Sequence, residues 1–222
     1  MSMHNESRRP SILNWFLATE FRQLLLSALV IAFAFSIRYL VFGKYRLEYV
    51  SATILAVILA FIPHELSHRH IARKLGYYAR YRVWLLGLAL AIVFPLLTLG
   101  SLIFAAPGAV VIYPKYPFGY VSRRDYGLIA LAGPLANIIV GYTSLVLLTM
   151  MKTIIHMYSF LLILILFVVM EINLWLAMFN LIPFPPLDGS KVFAWNKALW
   201  LVAFALSAVP LFLMLYGLRF FI

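Results

Sequence analysis

Residues 23–42 run for twenty positions with one charge, Arg38, near the end, and further apolar runs follow at 49–62, 83–106, 126–151, 154–181 and 195–218. Twenty residues at 1.5 Å each cross about 30 Å of hydrocarbon. No water is present at that depth to satisfy backbone N–H and C=O groups, so each crossing run must close its own hydrogen bonds as a helix. The chain therefore reads as an integral, multi-pass membrane protein. The 23–42 run is too long for a signal-peptide core and has no small-residue cleavage site, so it is expected to be retained, with Arg38 snorkelling to the interface. Composition agrees: 65% of residues are hydrophobic and 11% charged, with mean hydropathy +0.99, where soluble domains carry about 25% charged residues.

The first ten residues are polar, and an interfacial stretch surrounds Trp15 and Phe16. Residues 1–22 are expected to lie in the cytoplasm or at the interface, and 23–222 to form a single membrane-embedded domain. The second run continues through Pro63 into HELSHRHIARKLG, which gathers its polar residues at the C-terminal end of that helix. The 83–106 run carries Gly87, Pro95 and Gly100 and leads into PGAVVIYP, whose β-branched residues between prolines read as a short strand. Pro210 is expected to kink the last helix. The expected fold is an all-α polytopic membrane protein. It would have about five to six transmembrane helices and a re-entrant, partly β segment between the second helix and the next span.

The absence of cysteine excludes disulfides, thiolate zinc sites, iron–sulfur clusters and cysteine nucleophiles. Any metal must be held by nitrogen and oxygen. The net charge of +11 sits in short basic runs between apolar segments rather than on one face, a pattern of membrane topology and not of nucleic-acid binding. Seven carboxylates and five histidines make the inventory of possible ligands short.

His64-Glu65-Leu66-Ser67-His68 is an HExxH sequence. On a helix, positions i and i+4 share a face, so both imidazoles can hold one zinc ion while the intervening glutamate serves as base for an attacking water. Strongly polar groups at bilayer depth cost about 2.5–3.5 kcal/mol each on insertion scales, which argues that three within five residues are there for chemistry. A catalytic zinc takes a third protein ligand. Glu6, Glu20, Glu48 and Asp125 fall outside the reach of this helix end, His70 points off the His64/His68 face, and His156 lies at the far end of its span. Asp188 and Glu171 remain. Asp188 is favoured, because Pro183, Pro185 and Pro186 stop the helix before it and Gly189 after it permits a sharp turn that can aim a carboxylate inward.

HELSH, AGPLAN (132–137) and NLWLAMFNLIPFPPLDG (173–189) together resemble the site-2 protease family of intramembrane zinc metalloproteases, over about residues 49–189. The resemblance implies one zinc per chain held by His64, His68 and Asp188, Glu65 as catalytic base, and Asn137 and Asn180 as polar groups near the cleft. It further implies a transmembrane segment of a membrane-anchored regulatory protein as substrate. The chain departs from the family pattern at Ser67, where glycine is frequent, in the long apolar 83–106 segment, and at Glu171, which belongs to no family motif.

One ion cannot bind residues on opposite faces of the bilayer, so the chain must cross an even number of times between His68 and Asp188. The spans at 126–151 and 154–181 supply two crossings, hence 83–106 is expected to enter and return. Charge supports this. With a re-entrant segment, thirteen of the 18 Lys and Arg residues share the side of the N-terminus and five lie opposite; with a crossing segment the split is ten to eight. The positive-inside rule then places the N-terminus and the active site toward the cytoplasm.

Asn137 is a candidate donor to a developing oxyanion, or else a residue that bonds backbone across helices. The strand near Gly108, Val110 and Val111 is expected to offer an edge to which an unwound substrate adds, with Asn180 beside it. Competing readings are a membrane zinc protease of the CAAX-prenyl or heat-shock type with Glu171 as third ligand, and a metal transporter using the same ligands as a transit site.

Overall fold

A computed structural model describes residues 19–43, 46–104, 106–114, 119–151 and 159–216. The polar N-terminal stretch with Trp15 and Phe16, Glu6 and His156 lie outside the described residues. In chain order the elements are α1 (Glu20–Phe42), α2 (Arg46–Lys74), β1 (Tyr78–Val83), α3 (Leu85–Leu97), β2 (Gly108–Tyr113), α4 (Arg123–Met150), α5 (Phe160–Asn180), α6 (Asp188–Trp195) and α7 (Lys197–Tyr216). Five of these, α1, α2, α4, α5 and α7, are long and apolar enough to span a membrane. The protein is thus an all-α polytopic membrane protein carrying one small two-stranded sheet.

Small residues let the central helices approach. Ala52, Ala56 and Ala60 recur every four residues on α2 and are all fully buried, forming a smooth stripe against which α1 and α5 pack through Ile31, Val168 and Ile172. On α4, a Cβ at Gly141 would meet Leu174 of α5 at 2.8 Å. Helices α2, α4 and α5 therefore form a tight central group, with α1 against α2 and α7 against α5.

Helix α3 has 13 residues, about 20 Å long at 1.5 Å per residue, which is short of the hydrocarbon thickness. The strands on either side of it pair antiparallel, Tyr78 opposite Tyr113 and Val83 opposite Gly108. The excursion through α3 therefore ends beside the residue where it began. This is the return that the parity of crossings requires. β1 was not among the expected elements, yet its alternation of Ala79 and Tyr81, buried, with Arg80 and Arg82 has the period of a half-buried strand.

The outer edge of β1 is covered by the first turn of α1. Glu20 Oε1 accepts from Tyr81 N and Gln23 Oε1 from Val83 N, both at 3.0 Å, and Glu20 also pairs with Arg69 of α2 at 3.1 Å. Backbone groups alternate in direction along a strand. Since Tyr81 and Val83 face α1, their partners Val110 and Gly108 turn their N–H and C=O away from β1, as does Ile112. Val111 does the opposite and faces Arg80, so the free edge of the sheet belongs to Gly108, Val110 and Ile112.

Candidate metal centre

His64 and His68 lie one turn apart on α2, and both are buried. His68 Nδ1 is 2.6 Å from the carbonyl oxygen of Ile129 on α4. A carbonyl oxygen only accepts, so Nδ1 carries the proton and Nε2 keeps its lone pair. His64 Nδ1 is 2.5 Å from Asn137 Oδ1. The amide is oriented by its other end, where Nδ2 donates to the Ala60 carbonyl at 2.9 Å and to Asn173 Oδ1 at 3.0 Å. Asn137 Oδ1 must therefore accept from His64, which leaves the His64 Nε2 lone pair free as well.

Both lone pairs converge on Asp188 Oδ2, at 3.3 Å from His64 and 3.0 Å from His68. The other carboxylate oxygen, Oδ1, accepts from Lys191 Nζ at 3.1 Å. Two lone-pair nitrogens and a carboxylate oxygen repel one another unless a cation is shared, so the donor set fits a metal ion, and two nitrogens with one oxygen suit zinc. Their ligand atoms lie within 4.8 Å of one another, and no other such group exists among the described residues. Glu171 is not part of it. Glu65 is buried beside the cluster, and among the described residues its Oε2 has no hydrogen-bond partner, as expected of an oxygen that faces a water or substrate.

Two glycines make the approach possible. A Cβ at residue 133 would sit 2.3 Å from His68 Nε2 and 2.7 Å from His64 Nε2, so only glycine lets α4 pass this close. A Cβ at residue 189 would meet the Leu181 carbonyl oxygen at 2.1 Å. Gly189 thus serves close packing of α6 on the end of α5, rather than the sharp turn expected from the sequence; it lies inside α6.

No family model matches the chain, and no solved structure matches it. Two curated proteins do. The chain is 36% identical over 207 residues to "Putative zinc metalloprotease MJ0611" of Methanocaldococcus jannaschii, a match covering 90% of this chain and 97% of that protein. The chain belongs to this zinc metalloprotease family. It is also 28% identical over 167 residues to "Putative zinc metalloprotease YwhC" of Bacillus subtilis, covering 68% of this chain and 71% of that protein.

For a zinc metalloprotease the space beside the metal decides what can be cut. A cavity of about 370 Å³ opens on His64, Glu65, His68 and Asp188, and its walls include β2 from Gly108 to Ile112, Asn180 and Lys191. Of the residues expected to touch substrate, Gly108, Val110 and Asn180 line this space. Val111 also lines it, but its backbone is turned to β1. Asn180 spends one amide proton on the Leu176 carbonyl at 2.9 Å. Of the two readings of Asn137, the structure fits a residue that bonds across helices: it is fully buried and both its amide protons are committed to Ala60 and Asn173. It orients His64. The sequence reading missed the Ile129 carbonyl, Gly133 and Lys191. Only Lys191 left a local signal there, standing three residues after Asp188 and so on the same turn of a helix.

Proposed function

We propose that this chain is an intramembrane zinc metalloprotease of the site-2 protease type, cutting peptide bonds in or near transmembrane segments of membrane-anchored regulatory proteins. The convergence of His64, His68 and Asp188 inside a bundle of membrane-length helices, with Glu65 and a free strand edge in the same cavity, carries the reading. The catalytic unit is about residues 49–189 of one membrane-embedded domain. Its N-terminus and active site face the cytoplasm, as the distribution of Lys and Arg favours.

His64, His68 and Asp188 would hold one zinc per chain. When bound there, the ion would supply Lewis-acid chemistry, making a water nucleophilic near neutral pH and polarising the scissile carbonyl. Glu65 takes the proton from the attacking water and delivers it to the leaving amine. Asn137 and the Ile129 carbonyl keep both imidazoles in the tautomer that presents Nε2. A substrate helix hides its peptide bonds in its own hydrogen bonds and must unwind before it is cut. The outward groups of Gly108, Val110 and Ile112 can replace those bonds without water, holding the unwound stretch extended beside Glu65, with Asn180 nearby.

The test is a purified full chain, assayed for metal and for cleavage of a panel of transmembrane peptides with and without chelator. The expected result is about one zinc per chain and chelator-sensitive cleavage, with Glu65→Gln retaining zinc and losing hydrolysis. Cleavage by Glu65→Gln at the parent rate would remove Glu65 from the mechanism.

A further inference from the structure

The two oxygens of Asp188 have different partners. Oδ2 faces both histidine Nε2 atoms, while Oδ1 accepts from Lys191 Nζ at 3.1 Å. Among the described residues, no other donor to Oδ1 is found. The pair is built into one turn: Asp188 opens α6 and Lys191 follows three residues later, so the two side chains rise on the same face. The ammonium has a second anchor on a different helix, lying 5.8 Å from the ring centroid of Tyr126 on α4. Lys191 is only a quarter exposed and lines the same cavity as Glu65.

A catalytic zinc takes three protein ligands and keeps one position open. A carboxylate with both oxygens available can close on a metal through both, adding a fifth donor that crowds that position. We propose that Lys191 is a positioning residue that reserves Asp188 Oδ1, making Asp188 a one-oxygen ligand and keeping a coordination position free. The inference rests on the ligand set proposed above. Hydrogen-bonded partners of metal ligands typically contribute 10–100-fold to metal affinity or activity, and a charged partner on a buried carboxylate belongs to the stronger kind.

The experiment uses the full chain in detergent, stripped of metal and titrated with cobalt(II), whose visible bands are intense in four-coordinate and weaker in five-coordinate sites. The parent, Lys191→Met and Lys191→Arg are compared. Lys191→Met should still take up one cobalt, with loss of visible intensity, and its zinc form should lose about 10–100-fold in kcat with little change in KM. Lys191→Arg, which keeps charge and donors, should restore the parent spectrum. If Lys191→Met fails to fold, as judged by thermal unfolding of the metal-free protein, Lys191→Gln is read in the same way. A charge-removing variant with the parent's spectrum and kcat overturns the inference, and so does a Lys191→Arg protein as altered as Lys191→Met. A parent that binds no cobalt overturns the ligand set itself, so the two failures are told apart.

Discussion

Two side chains and two backbone carbonyls decide which face of His64 can bind a metal. Asn173 Nδ2 donates to the Val169 carbonyl at 2.8 Å, its Oδ1 accepts from Asn137, and Asn137 also donates to the Ala60 carbonyl. Carbonyls cannot donate, so both amides are oriented and the chain ends with Asn137 accepting from His64. The imidazole is thereby held in one tautomer inside an apolar bundle, where an unpaired buried donor would cost about 1–3 kcal/mol. Asn137→Leu keeps the volume and removes the acceptor. Zinc affinity, measured by competition with a chromophoric chelator, should fall about 10–100-fold while the helical content is unchanged. Unchanged zinc affinity in a folded Asn137→Leu protein would reduce this network to packing.

Among elements, the sheet shows how a covered edge selects an open one. Glu20 and Gln23 satisfy the N–H groups of Tyr81 and Val83, which leaves Gly108, Val110 and Ile112 facing the cavity. The two adjacent valines should therefore respond differently to proline. At Val110 the lost N–H points into the cavity, so the sheet survives; at Val111 it points at Arg80, so a ladder bond is lost, worth about 0.5–1.5 kcal/mol before strain. Val110→Pro is expected to retain zinc and most of its thermal stability, and to lose activity on a helical transmembrane substrate far more than on a short extended peptide. Val111→Pro should lower the thermal midpoint more. Parent-rate cleavage of the helical substrate by Val110→Pro would mean that the edge does not hold substrate.

What was legible in the sequence follows the range of each interaction. The spans, HExxH and the proline-stopped segment before Asp188 are local patterns, and all appear where expected. The end of α5 at Asn180 and the start of α6 at Asp188 match the proline positions. Asn137 and Ile129 act on residues 73 and 61 positions away, which no local period reports. β1 carries a strand's alternation, but Arg80 and Arg82 equally fit the short basic runs that separate the apolar segments. Gly108 and Val110 face the open edge while Val111 faces β1, because a strand's direction of pairing depends on its neighbour.

At the scale of the whole molecule, the antiparallel return of β2 to β1 ties topology to chemistry. His68 ends its helix near Lys74, and Asp188 follows two further spans, so a shared metal requires that Lys74 and the start of α4 lie on one side of the membrane. Leu47, at the other end of α2, must lie on the opposite side. The chain has no cysteine, so single-cysteine variants have no labelling background. Lys74, Tyr120 and Leu47 are suitable positions, the last two being 84% and 83% exposed. In sealed vesicles treated with a membrane-impermeant maleimide, Lys74→Cys and Tyr120→Cys should label from the cytoplasmic side and Leu47→Cys from the other. Labelling of Tyr120→Cys together with Leu47→Cys would mean that the α3 segment crosses, and His64, His68 and Asp188 could then not share an ion. Labelling of Lys74→Cys and Tyr120→Cys together from the external side would keep the metal site intact and reverse only the orientation that the thirteen-to-five split of basic residues favours.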